Sequence, residues 1–154
     1  MNIEIERKFL IEELPLKFEE TIHIRQYYLS NSQNMVQRLR IFNQEKAIMS
    51  FKEKTSKISK YEFEYTIPLK DANKMISIAD VPFIDKKRHI IHIDSLKWEI
   101  DEFLDKNKGL IIAEVELKTE NQSISIPNWI GKEVTDDRKY YNYNLALKPY
   151  ILWL

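Results

Sequence analysis

The chain has no cysteine, and its 154 residues include only two glycines, Gly109 and Gly131. Without cysteine there is no disulfide, no thiolate zinc or iron–sulfur site and no cysteine nucleophile. Two isolated glycines cannot build a Walker loop or a GxGxxG fingerprint, because both need closely spaced glycines to bring backbone amides onto phosphate. No GxSxG elbow occurs either. Any phosphate this chain holds must therefore be held by side chains. No apolar run approaches the ~18 residues of a membrane span. The opening MNIEIERKF lacks the apolar core of a signal peptide, and a cytoplasmic protein is expected. Net charge is absent too, with 24 Lys and Arg against 24 Asp and Glu. That balance argues against a nucleic-acid coat protein or a polybasic membrane binder.

What is present is charge in quantity, at 31% of residues, laid out with period two. The alternation predicts strands at about 2–10, 22–29, 36–43, 46–54, 60–68, 86–93, 96–103 and 111–118. Asn43-Gln44-Glu45 and Ile93-Asp94-Ser95 are short enough for hairpin turns. Leu69 to Ala79 breaks the alternation, with Met75, Ile76 and Ala79 at helical spacing and Asp71 placed to cap near the start. The tail from Asn128 reads helical, with Trp129, Ile130 and Val134 on one stripe and a second short helix from Asp136 or Asp137. No linker or repeat divides residues 1–154, which read as a single domain. The expected fold is mainly β, of α+β type: an eight-stranded antiparallel β-barrel with helices packed outside.

On a strand, residues two apart share a face. That rule puts Glu4, Glu6 and Lys8 together, then Arg38 with Arg40, Lys52 with Lys54, Glu62 with Glu64, Lys86 with Arg88, Glu99 with Asp101, and Glu114 with Glu116. The opposite faces are largely apolar. Each charged face taken alone is what a half-exposed antiparallel sheet presents to water. Two features favour a lumen instead. Like charges two apart repel unless something binds between them, and large apolar residues fill the faces that helices would cover. A lumen holding both signs suits a polyanion on its basic wall and divalent cations on its acidic wall.

The ordered set Glu4-Ile5-Glu6-Arg7-Lys8, Ile24-Arg25-Gln26-Tyr27-Tyr28, Val36-Gln37-Arg38-Leu39-Arg40, Phe51-Lys52-Glu53-Lys54, Tyr61-Glu62-Phe63-Glu64, Lys86-Lys87-Arg88, Glu99-Ile100-Asp101 and Glu114-Val115-Glu116 resembles the CYTH domain family, the triphosphate tunnel metalloenzymes. The likeness runs from about residue 2 to 145 and is nearest to the short bacterial tripolyphosphatase branch. It departs at Tyr27 and His89, both on the register expected to face away from the lumen.

The resemblance implies an antiparallel tunnel that hydrolyses the terminal phosphate of triphosphates with Mg²⁺ or Mn²⁺. It implies metal binding by Glu4, Glu6, Glu114 and Glu116, with Glu62, Glu64 and Asp101 as further ligands or as anchors for basic side chains. Arg38, Arg40, Lys52, Lys54, Lys86 and Arg88 are expected to grip phosphate oxygens. Lys8 is the expected catalytic group, its pKa lowered among other cations, with Lys86 and Tyr28 as partners. His23, His89 and His92 are not expected to bind metal. A small-molecule triphosphate is the expected partner, with neither nucleic acid nor membrane, and a homodimer stays open. Inorganic tripolyphosphate is favoured over ATP because Gln26 and Tyr28 are the main uncharged members of the inward register, while Phe51, Tyr61, Phe63 and Trp98 face outward. An organic triphosphatase or class IV-type adenylate cyclase, and a binding module for polyphosphate or nucleotide, remain alternatives.

Overall fold

A computed structural model describes residues 2–32, 34–56 and 58–153. Eight strands follow in chain order: β1 (Asn2–Leu10), β2 (Glu20–Asn31), β3 (Met35–Phe42), β4 (Lys46–Lys54), β5 (Ser59–Ile67), β6 (Phe83–Ile93), β7 (Leu96–Phe103) and β8 (Ile111–Glu116). They close antiparallel into a barrel in the order β1-β5-β4-β3-β2-β6-β7-β8, with β8 paired back onto β1. Helix α1 (Leu69–Ile78) links β5 to β6, and α2 (Asn142–Leu147) lies near the C-terminus.

Local chemistry explains several of these elements. The β3–β4 and β6–β7 hairpins turn on Asn43-Gln44 and Asp94-Ser95, whose four φ values lie between 50° and 64°. Two successive positive φ angles match the twist of the flanking strands. Pro68 caps α1, and Asp71 sits in its first turn rather than at the cap. Residues 128–134 are not helical, contrary to the apolar spacing. Pro127 and Gly131 break that stretch, and its backbone runs along β1 instead. Gly131 N–H donates to Leu10 O, Leu10 N–H to Lys132 O and Val134 N–H to Lys8 O. A Cβ at Gly131 would meet Leu10 O at 2.7 Å, so only glycine permits this approach. Among the described residues β1 pairs with β5 over Asn2–Ile5, and this stretch covers the Lys8–Leu10 part of the same edge. Helical turns begin only at Arg138–Tyr140, where Asp137 caps by accepting from Lys139 N–H.

The outward register is apolar and covered. Phe9, Trp98, Ile100, Ala113 and Val115 pack under Leu14, Phe18, Ile124, Trp129 and Ile130. Tyr27, Leu39, Ile41, Ala47 and Met49 pack against α1 through Ala72 and Ile76. Trp98 is fully buried, and Trp98→Ala is expected to cost about 3–5 kcal/mol in urea unfolding. The inward register turns apolar toward one end of the barrel. There Leu10, Tyr28, Val36, Ile84, Phe103 and Ile112 meet Val134, Tyr140 and Leu145 of the C-terminal segment.

Candidate active site

The rest of the inward register encloses a cavity of about 540 Å³. Among the described residues, nine Lys or Arg and seven Glu side chains line it. Basic residues come mainly from β3, β4 and β6 (Arg38, Arg40, Lys52, Lys54, Lys86, Arg88), and carboxylates from β1, β5 and β8 (Glu4, Glu6, Glu62, Glu64, Glu114, Glu116). Because neighbouring strands alternate in step, opposite charges meet across the sheet. Lys8 Nζ lies 3.0 Å from Glu114, Lys52 Nζ lies 2.7 Å from Glu4 and 3.2 Å from Glu62, and Arg40 Nη2 lies 2.9 Å from Glu64. Asp101 is fully buried and does not line the cavity. It stands behind the wall and binds Lys86 at 2.7 Å and Arg88 at 2.8 Å.

The pairing is incomplete on the basic side. Arg38 Nη2 and Arg40 Nε are buried without a hydrogen-bond partner, and Arg38 Nη2 stays 3.6 Å from Glu62. Buried donors left unmade cost free energy, and both belong to side chains that line the cavity. Burial, then Arg38 and Arg88, pull Arg40 down to about 10. Binding a polyanion relieves that crowding.

The acidic side is crowded too. Glu6 and Glu116 are cross-strand partners, and so are Glu99 and Glu114. Burial, then Glu114 and Glu4, push the Glu6 carboxyl up to about 7. Burial and the charges of Glu4 and Glu99 raise Glu116. Among the described residues no three His, Asp or Glu side chains form a ready-made cage. The donor set nonetheless suits Mg²⁺ or Mn²⁺, since it is all oxygen and carries mutual repulsion that a cation removes. Mg²⁺ usually takes one or two carboxylates, waters and substrate phosphates rather than a full protein cage.

Lys8 differs from expectation. It sits among carboxylates, not cations. Burial opposes its charge, but Glu114, Glu6 and Asp101 outweigh burial and hold the ammonium above its ordinary pKa. Lys86 goes the other way. Burial, aided by Arg88 and opposed by Asp101, brings it down to about 8. Tyr28 is buried, and that burial raises its hydroxyl pKa. Tyr27 and His89 do face away from the lumen: Tyr27 stacks on Phe83, and His89 stacks on Phe18 between Thr21 and Glu102.

Sequence reasoning missed several lining residues. Lys60 and Lys97 each lie two positions before a carboxylate already assigned inward, Glu62 and Glu99, so the same period would have found them. Thr135, Tyr141, Asn142 and Tyr143 line the cavity from the C-terminal segment, where no periodic signal exists. Apolar Ile22, Phe42 and Ile90 also line it, although the inward register was expected to be nearly all charged.

A search of known proteins agrees with this architecture. The chain is 39% identical over 152 residues to an inorganic triphosphatase of Acetivibrio thermocellus, covering 97% of both chains. It is 29% identical over 147 residues to an inorganic triphosphatase of Nitrosomonas europaea, covering 94% of this chain and 97% of that one. A solved inorganic triphosphatase structure superposes with a TM-score of 0.70 at 29% identity over 96% of both chains. The CYTH domain family model matches residues 2–145, and the chain belongs to the CYTH domain family.

Proposed function

We propose that this chain is a divalent-metal-dependent triphosphatase that removes the terminal phosphate of inorganic tripolyphosphate, acting as one unit over its whole length. The buried, unsatisfied donors of Arg38 and Arg40, two side chains that line a two-signed lumen, carry this reading. The names of the two similar proteins, both inorganic triphosphatases, support it. A small anionic substrate of this kind goes with a cytoplasmic location.

In this reading Arg38, Arg40, Lys52, Lys54 and Arg88 hold the phosphate chain and neutralise charge that develops on the equatorial oxygens. Glu4, Glu6, Glu114 and Glu116 hold Mg²⁺ or Mn²⁺, and Glu62 and Glu64 keep Arg38, Arg40 and Lys52 in place. The bound cation supplies Lewis-acid polarisation of the phosphoryl oxygens. Lys8, kept charged by Glu114, stabilises the oxygen that leaves. Lys86, with its pKa near 8, orients the attacking water and accepts its proton, while Tyr28 donates from its neutral hydroxyl. The rate should therefore rise from neutral toward alkaline pH as Lys86 loses its proton. A rate falling steadily above neutrality contradicts this assignment.

A second reading rests on Ile22, Phe42 and Ile90, which offer a cavity wall apolar enough for the organic part of a nucleoside or thiamine triphosphate. Phosphate release from tripolyphosphate, ATP and thiamine triphosphate, each with Mg²⁺, Mn²⁺ or EDTA, separates the two. Tripolyphosphate should give the highest kcat/KM, and EDTA should abolish release. An organic triphosphate that matches or exceeds it favours the second reading. Binding without turnover of any member makes the lumen a binding module.

A further inference from the structure

One chain of hydrogen bonds at the cavity wall has a polarity fixed from a single end. Lys86 Nζ donates to Asn142 Oδ1 at 2.9 Å and to Asp101 Oδ2 at 2.7 Å. An ammonium has only donors, so the Asn142 amide must turn its oxygen to Lys86. That oxygen also accepts from Gln26 Nε2 at 2.9 Å, which fixes the orientation of the Gln26 amide. Gln26 Nε2 then donates to the Tyr28 hydroxyl oxygen at 2.8 Å. The single Tyr28 proton therefore cannot go to Gln26 and is free for the lumen that Tyr28 lines. This polarity has a visible cost: Gln26 Oε1 is buried with no partner. An amide left in that state is held by its neighbours and not by its own best hydrogen bonding.

We propose that Asn142, contributed by the C-terminal segment, is a positioning residue: with Asp101 it engages two N–H donors of Lys86, which aims the third position of that nitrogen, the one that loses its proton, at the attacking water, and through Gln26 it fixes the Tyr28 hydroxyl toward the phosphate chain. Asp101 pulls Lys86 back into the wall, and Asn142 opposes that pull from the cavity side. The backbone tie of the segment to β1, with Thr135 Oγ1 accepting from Lys8 N–H at 3.0 Å, places Asn142 there. The proposal rests on the triphosphatase reading for its kinetic consequence, but its geometry stands apart from that reading.

Asn142→Leu keeps the branched four-atom side-chain skeleton and removes the acceptor, and Asn142→Asp keeps an acceptor. With tripolyphosphate, Asn142→Leu should lower kcat about 10-fold or more and change KM by less than about 2-fold. Asn142→Asp should keep most of kcat and raise KM, because its charge repels the polyanion. In a Lys86→Met background, Asn142→Leu should cause no further fall in kcat. An equal fall in both backgrounds, or an unchanged kcat in Asn142→Leu, overturns the proposal. A readout independent of turnover is the ¹H–¹⁵N signal of the Lys86 ammonium, assigned by its loss in Lys86→Met. Two acceptors should protect this signal from exchange in the parent protein, and Asn142→Leu should broaden it while Asn142→Asp retains it. A signal indifferent to Asn142→Leu refutes the positioning whatever the activity. The expected signals in a protein that hydrolyses no triphosphate support the anchor and overturn the triphosphatase reading.

Discussion

Glu6→Gln is expected to raise the melting temperature of the metal-free protein while lowering turnover by roughly 100-fold or more. The two effects have one cause. Glu6 sits in a wall of carboxylates, and its pKa in the folded chain is raised from 4.5 to about 7. A carboxyl raised in this way gives its full contribution to stability below pH 4.5, and that contribution is lost as pH rises through 7. A shift of this size amounts to roughly 3–4 kcal/mol, or several degrees for a chain of this length. The substituted amide keeps a donor for Glu114 but carries no charge. The stability gain should therefore appear at alkaline pH in EDTA and vanish near pH 4.5. Mg²⁺ should stabilise the parent protein more than the variant, because a cation relieves the same repulsion and the variant offers one charged ligand fewer. Thermal melts across pH, with EDTA or Mg²⁺, check both signs. A Glu6→Gln variant less stable than the parent in EDTA at alkaline pH shows that Glu6 is a structural carboxylate instead.

Arg40→Gln should reduce kcat/KM for tripolyphosphate by roughly 1,000-fold, and Arg40→Lys by roughly 100-fold. Lysine restores the charge but not the planar fork, whose Nε is buried without a partner. The fold should tolerate the loss. Among the described residues Arg40 makes one hydrogen-bonded ion pair, to Glu64, which is 39% exposed and readily solvated. Burial and its Arg38 and Arg88 neighbours disfavour the Arg40 charge. The melting temperature without ligand should stay within about 2 °C of the parent, while the rise produced by tripolyphosphate should largely disappear. Turnover close to that of the parent in Arg40→Gln would remove Arg40 from the phosphate grip.

The barrel was readable in the sequence because a strand separates its two faces by parity alone. Glu4, Glu6 and Lys8 against Ile3, Ile5 and Phe9 is a choice between two sides, and closure turns one side into a lumen. The same rule holds for Arg38 and Arg40 against Leu39 and Ile41. Parity does not say which charges meet, since that depends on register between strands far apart in sequence. Lys8 looked like one cation among many, yet pairing of β1 with β8 sets it against Glu114. Asp101 shares the inward parity but lies a step behind the cavity, because Lys86 and Arg88 close over it. The C-terminal segment escapes the pattern for a different reason. Trp129 and Ile130 do pack, but on the outer cluster with Trp98, whereas Val134 joins the apolar end of the barrel. An extended chain that bridges two cores can mimic a helical stripe, and its contribution of Tyr141 and Asn142 to the lumen has no periodic signature.

Cation and triphosphate should meet inside the barrel, on the carboxylates of β1 and β8. Electron–nuclear double resonance of Mn²⁺ in the presence of tripolyphosphate tests it most directly, because ³¹P couplings appear only when phosphate oxygens share the metal. The ternary complex with the parent protein should give ³¹P couplings, with Mn²⁺ affinity weakened by Glu6→Gln and by Glu116→Gln. Mn²⁺ that binds without ³¹P coupling, or whose affinity ignores both substitutions, would contradict it.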